Sequence, residues 1–377
     1  MIQVATSLDV HAFAARVPLT LMEIAPFALE RWLARHEHDA EVNLGDSGVR
    51  PLAADRFDLD PGSLGYVVPT NGDPDLRAAI GERYDRPAEE VLLTCGTQEA
   101  NLLVTLSLVD RDGHAVVVTP TYQSLHSLPA AVGEVTRVEL SGPDWGLDPD
   151  AVTDAVRPET DLVVVNNPNN PTGKHHAQTA VEAVYDIAAD AGAYLLCDEV
   201  YRPLVPPEKR VTPAASMGEW GISSCGLSKG WGLPGLRVGW LAGARSVVED
   251  AWGWKDYTTI APPAVGQHVA AQAIEREAEL LARNRAHADE NRALVDEFVA
   301  EHGLDWQYPV GVTGFVSVPD RFESGEAFAL RLVEAGVVVV PGETFDRPGY
   351  VRVGFGAETA TLRAGLERMA AVIDESG

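Results

Sequence analysis

The chain is poor in lysine. Only Lys174, Lys209, Lys229 and Lys255 occur among 377 residues, so 29 − 4 = 25 of its basic side chains are arginine. Against these stand 56 acidic residues, giving a formal net charge of −27. This shortage of positive charge excludes the basic footprint of a nucleic-acid binder and the attraction to anionic membranes. No stretch approaches the ~20 apolar residues of a membrane helix. The N-terminus has neither the basic nor the apolar region of a signal peptide, so a cytoplasmic location is expected. Cysteine is scarce too. Cys95, Cys197 and Cys225 lie in or beside apolar runs without metal-ligand spacing, which predicts reduced packing residues and no metal site. The acids are dispersed rather than gathered in a tail. Together with the missing lysine, this predicts a halophilic-type acidic protein, kept soluble where salt shortens the reach of self-repulsion.

What is there suffices for a substantial core: 46% of the residues are hydrophobic. The length allows two or three average domains, or one large and one small. The amphipathic stretch Ala5 to His38 predicts a helix with Leu21, Ile24, Phe27, Trp32 and Leu33 as buried positions. Strand-like runs then alternate with helical ones. Val91–Thr94, Ala115–Thr119, Leu162–Val165, Ala193–Cys197, Ile222–Leu227 and Val238–Ala242 are the strands. This alternation implies a mostly parallel sheet wrapped by helices, an α/β architecture. A long helical region, Ala264 to His302, leads to a smaller α+β unit with strands near Gly314–Val318, Val337–Val340 and Tyr350–Val353 and a closing helix, Glu358–Asp374.

One of the four lysines has an unusual setting. The run Ile222 to Leu227 delivers Ser228-Lys229-Gly230, a Gly/Pro-rich turn follows, and Arg237 comes eight residues after Lys229. A lysine that forms a Schiff base must be buried among charges to lose its proton, and an arginine fork suits phosphate oxygens. Lysine plus phosphate site points to pyridoxal 5′-phosphate (PLP). Three more polar clusters follow apolar runs: Gly96-Thr97-Gln98-Glu99-Ala100, Asn166-Asn167-Pro168-Asn169-Asn170-Pro171-Thr172-Gly173 and Asp198-Glu199-Val200-Tyr201. Each lies just past the C-terminal end of an expected strand, where open α/β sheets bind ligands.

In order and spacing, these clusters and Tyr350-Val351-Arg352-Val353-Gly354-Phe355 resemble the class I/II aminotransferases, the fold-type I PLP enzymes. The resemblance runs from about Asn43 to Phe355. It implies a seven-stranded-type, three-layer αβα domain over residues 45–270. A smaller discontinuous α+β domain would take 1–44 and 271–377. It implies a homodimer with shared active sites. By position, Lys229 is the Schiff-base and acid/base lysine, Asp198 partners the pyridine nitrogen, and Tyr201 and Asn170 bond the phenolate oxygen. Tyr122 stacks on the ring. Gly96, Thr97, Gln98, Ser228 and Arg237 hold the phosphate, and Tyr66 reaches the phosphate of the neighbouring subunit. Arg352 binds the substrate α-carboxylate and Gly45 closes over the substrate. Glu199, adjacent to Asp198 on a strand, points the other way.

The sequence departs from the family in places. Gly226 stands three before the lysine, where a hydroxyl residue is usual. Ser47-Gly48-Val49-Arg50-Pro51 replaces a common Gly-x-Pro pattern, and Thr258-Thr259-Ile260-Ala261-Pro262 is atypical. The resemblance implies amino-group transfer between an L-amino acid and a 2-oxo acid by a ping-pong route. A PLP lyase or an oxidase/cyclase acting on an amino acid, and a PLP-binding regulatory module, are the alternatives. The side-chain pocket is left open among Trp231, Trp252, Trp254, Tyr257, Thr258, Thr259 and His126, with Asp256 or Glu23 favouring a basic substrate.

Overall fold

The computed structural model describes residues 23–375. Seven strands form its central sheet, in the order Val91–Thr94, Gly239–Ala242, Gly221–Gly226, Tyr194–Asp198, Thr160–Asn166, His114–Thr119 and Glu134–Glu139. Neighbours pair in parallel except Gly239–Ala242, which is antiparallel to both strands beside it. The inner strands are continuous apolar runs because both faces are covered. Alternate residues point to opposite faces. Val163 and Val165 pack into one core with Leu195, while Leu162 and Val164 pack into another with Leu92 and Leu196. Each such side chain contributes about 1.5–3 kcal/mol by leaving water. Glu134–Glu139 escaped the sequence reading. It is an edge strand, half exposed and rich in charge, so it lacks the apolar run that marks its neighbours.

The smaller unit is built on Thr313–Ser317, Tyr350–Gly354 and Val340–Pro341, all antiparallel. Val42–Asn43 pairs in parallel with Val337–Val338, tying the chain just before Gly45 to this unit. The core that includes Val163 continues without a break into Phe315, Val351 and Leu366. The helical region expected from Ala264 to His302 is two helices, Ala264–Glu275 and Glu277–Glu301, broken at Arg276. Of the helix expected over Ala5 to His38, residues 5–22 lie outside the described residues. Among the described residues it spans Ala28–His36, and Ile24 is 54% exposed rather than buried. Pro26 accounts for the late start, since proline lacks an N–H and disfavours helix in the residue before it. Leu21 lies outside the described residues. Trp32 is buried as expected, and its indole N–H donates to the Val339 carbonyl at 2.7 Å. Phe27 and Leu33 are partly buried.

Candidate active site

The sheet register places Asn166, Asp198 and Ser224 side by side at the C-terminal ends of three adjacent strands. Hydrogen bonds lock them together. Ser224 Oγ donates to Asn101 Oδ1 at 2.6 Å, and Asn101 Nδ2 donates to Asp198 Oδ2 at 2.9 Å. The Val200 N–H donates to Asp198 Oδ1 at 3.1 Å, and Asn166 Nδ2 donates to the Asp198 carbonyl at 2.8 Å. Asp198 is thus fixed in one orientation. Burial raises its pKa, Asn101 and Val200 oppose the shift, and Lys229 opposes it more weakly. A buried carboxylate in that condition gains from a cationic partner. Glu199 points away, as expected, to Ser223 and Ala214 on the other side of the strand.

A cavity of about 300 Å³ opens above these strand ends. Its walls include Gly45, Thr97, Gln98, Tyr122, Asn170, Asp198, Tyr201, Ser228, Lys229, Arg237 and Arg352, so the expected residues converge on one space. Lys229 is partly buried, and its Nζ donates to Ser47 Oγ at 2.7 Å. Burial lowers its pKa; Asp46 opposes this and Arg352 adds to it. That is the direction a lysine needs to act as a base or nucleophile. Tyr201 is buried, its hydroxyl has no well-formed hydrogen bond, and burial pushes its pKa up to about 12.

The end of the cavity expected to take a phosphate is made largely by backbone. Thr97 and Gln98 open the helix Thr97–Leu108, and the first N–H groups of a helix have no acceptor within it. Gly96 enters that helix at φ +85°, and a Cβ there would lie 2.5 Å from Arg237 Nη2. Only glycine allows both the turn and the guanidinium's approach. Arg237 Nη1 donates to Ser228 Oγ at 3.3 Å. Gly226 has a steric reason. A Cβ there would meet Thr97 Oγ1 at 2.8 Å and Gly239 Cα at 3.1 Å, so the usual hydroxyl residue has no room.

At the opposite end, Arg352 is 1% exposed. Its Nη1 donates to Asn170 Oδ1 at 3.0 Å and its Nη2 to the Gly45 carbonyl at 2.5 Å, while its Nε has no partner among the described residues. The helix Ala28–His36 roofs the cavity. The Ala28 N–H donates to Gln123 Oε1 at 2.8 Å, and the Tyr122 hydroxyl donates to Glu30 Oε1 at 2.7 Å.

Tyr66 stands apart from the cavity of its own chain and is 70% exposed. The side-chain pocket residues named from sequence also lie elsewhere. Trp231 packs edge-on against Trp240 in the core, and Trp252 donates to Thr70 Oγ1. His126 meets Arg137, and Trp254 and Tyr257 are exposed on the surface. Thr258 and Thr259 bond to Glu99, which also pairs with buried Lys255 at 2.8 Å, so the atypical segment there is structural. Glu23 and Asp256 are exposed and do not line the cavity. The acids that do line its roof are Glu30 and Asp46. Sequence reasoning also missed Asn101 and the role of Ser47. Asn101 was findable: it lies four residues after Thr97, on the same helix face. Ser47 lies inside Ser47-Gly48-Val49-Arg50-Pro51, which departs from the family pattern.

The unpartnered Tyr201 hydroxyl and Arg352 Nε, and the glycine cradle beside Arg237, fit PLP and the carboxylate of an amino acid. Residues 49–369 match the family described as Aminotransferase class I and II. Capreomycidine synthase of Streptomyces vinaceus is 32% identical over 365 residues, 93% of each chain. Aspartate/prephenate aminotransferase of Thermus thermophilus is 29% identical, over 85% of this chain and 86% of its own. A PLP-dependent aminotransferase from Streptococcus suis superimposes with a TM-score of 0.88 at 32% identity, covering 94% of this chain and 100% of its own.

Proposed function

The chain belongs to the class I and II aminotransferases and is a PLP-dependent aminotransferase, and from that premise we propose the role of each residue in the cavity. When bound, the cofactor supplies an electron sink for the electrons left by a departing α-proton. Lys229 holds the cofactor and carries that proton, a role its lowered pKa and its contact with Ser47 support. Asp198 holds the protonated ring nitrogen, clamped for the purpose by Asn101 and the Val200 N–H. Tyr201 and Asn170 donate to the phenolate oxygen, and Tyr122 covers the ring. Gly96, Thr97, Gln98, Ser228 and Arg237 take the phosphate.

Arg352 grips the substrate α-carboxylate through two parallel donors. Its Nη2 now rests on the Gly45 carbonyl, which couples the carboxylate site to the segment that closes over the substrate. Amino acid and 2-oxo acid therefore use one site in turn. We assign residues 45–270 to the large domain and 1–44 with 271–377 to the small one, in a homodimer working in the cytoplasm. Tyr66 completes the phosphate site of the neighbouring subunit.

The observation that carries this reading is the convergence of Lys229, Asp198, Tyr201 and Arg352 on one cavity. The holoenzyme mixed with amino acids and no oxo acid should release one equivalent of oxo acid per site and stop. A second oxo acid should then restart it. Continuous ammonia release, oxygen uptake, or turnover to a product that keeps the amino group would move the protein to the lyase, oxidase or cyclase reading.

A further inference from the structure

The roof of the cavity carries two carboxylates, Glu30 and Asp46. The cations that line it, Lys229, Arg237 and Arg352, are all committed to the lysine, phosphate and carboxylate positions. Among the described residues, no basic side chain pairs with Glu30. Its Oε1 accepts from the Tyr122 hydroxyl at 2.7 Å, which fixes the carboxylate and leaves Oε2 for another donor. Glu30 is partly buried, on a helix held from both sides: Gln123 bonds to Ala28, and Val339 accepts from Trp32. A carboxylate kept in place and partly out of water gains most from a cationic donor. Arg352 and Tyr201, buried with the Arg352 Nε and the Tyr201 hydroxyl unpartnered, point independently to a ligand in this space.

We propose that Glu30 makes this enzyme selective for an amino acid whose side chain ends in a cation, with Asp46 adding to the negative field. This rests on the assignment of Arg352 to the α-carboxylate, which leaves the side chain to face the roof. The same arrangement disfavours aspartate and glutamate as donors, because a second carboxylate would approach Glu30.

The test compares ligand pairs of similar shape that differ in charge: arginine with citrulline, and lysine with norleucine. The rate of the first half-reaction is measured for each. Dissociation constants of the desamino analogues, which lack the α-amino group, are measured by calorimetry on the holoenzyme. The cationic member of at least one pair should be favoured by about 10- to 100-fold, the range for one charged hydrogen bond. Glu30→Gln should bring that ratio close to one, and Glu30→Asp should restore part of it. The pair that shows the ratio tells guanidinium from ammonium. Ratios near one in the wild type, or unchanged in Glu30→Gln, would overturn the proposal. So would an equal loss on charged and neutral ligands, which would mean that Glu30 only anchors its helix to Tyr122. Selective binding of the analogues without amino transfer would count against the catalytic assignment and leave this one standing.

Discussion

Asp198 and Glu199 are neighbours in sequence and opposites in setting. Asp198 faces the cavity with its oxygens held by Asn101 and the Val200 N–H. Glu199 faces away, 2% exposed, with Oε1 accepting from Ala214 and Ser223 and Oε2 unpartnered. Burial pushes its pKa up to about 7, with Arg202 opposing. A raised carboxylate stabilises the fold only while protonated. Its contribution is full below the unfolded value of 4.5 and is lost as pH rises towards 7. Glu199→Gln keeps the acceptor oxygen and removes the titration. The variant should match the wild type near pH 4 and exceed it by about 2–4 kcal/mol near pH 8, by denaturant unfolding in molar salt. A difference independent of pH would contradict this. At this scale the sequence was most legible where chemistry needs one residue type at one strand end, as at Lys229, Asp198 and Arg352. It was least legible for Glu30, which lies 199 positions from Lys229 and enters the cavity only because Trp32 and Gln123 dock its helix.

Among the elements, the buried strands were the easiest to read, because a strand covered on both faces must be apolar throughout. The charged edge strand Glu134–Glu139 and the helix break at Arg276 were not, since tertiary position rather than periodicity decides them. Two segments expose large apolar side chains. Leu64, Tyr66 and Val68 are 84%, 70% and 77% exposed, and Tyr257 is 86% exposed next to Trp254 at 43%. Apolar groups gathered this way mark a protein–protein contact. They support the proposed homodimer, in which Tyr66 enters the partner's site. Leu64→Asp combined with Tyr257→Asp should therefore sediment as a monomer and lose amino-transfer activity. A fully active monomer would contradict shared sites.

Across the whole molecule, a net charge of −27 is spread over the surface with few lysines to balance it. Many of the ion pairs join arginine to exposed acids, as in Arg245–Glu249 and Arg157–Glu134, and such pairs are worth only about 0–1 kcal/mol each. Self-repulsion should dominate at low ionic strength, where the screening length grows to ~30 Å. The melting temperature should rise steadily from millimolar to molar KCl, and a salt-independent value would sink the halophilic reading. The proposed amino transfer turns on one atom, Lys229 Nζ. Borohydride reduction of the holoenzyme in high salt, followed by digestion and peptide mass mapping, tests it most directly. The cofactor should be found covalently on the peptide containing Lys229 and on no peptide containing Lys174, Lys209 or Lys255. A label on another lysine, or none after loading with PLP, would contradict it.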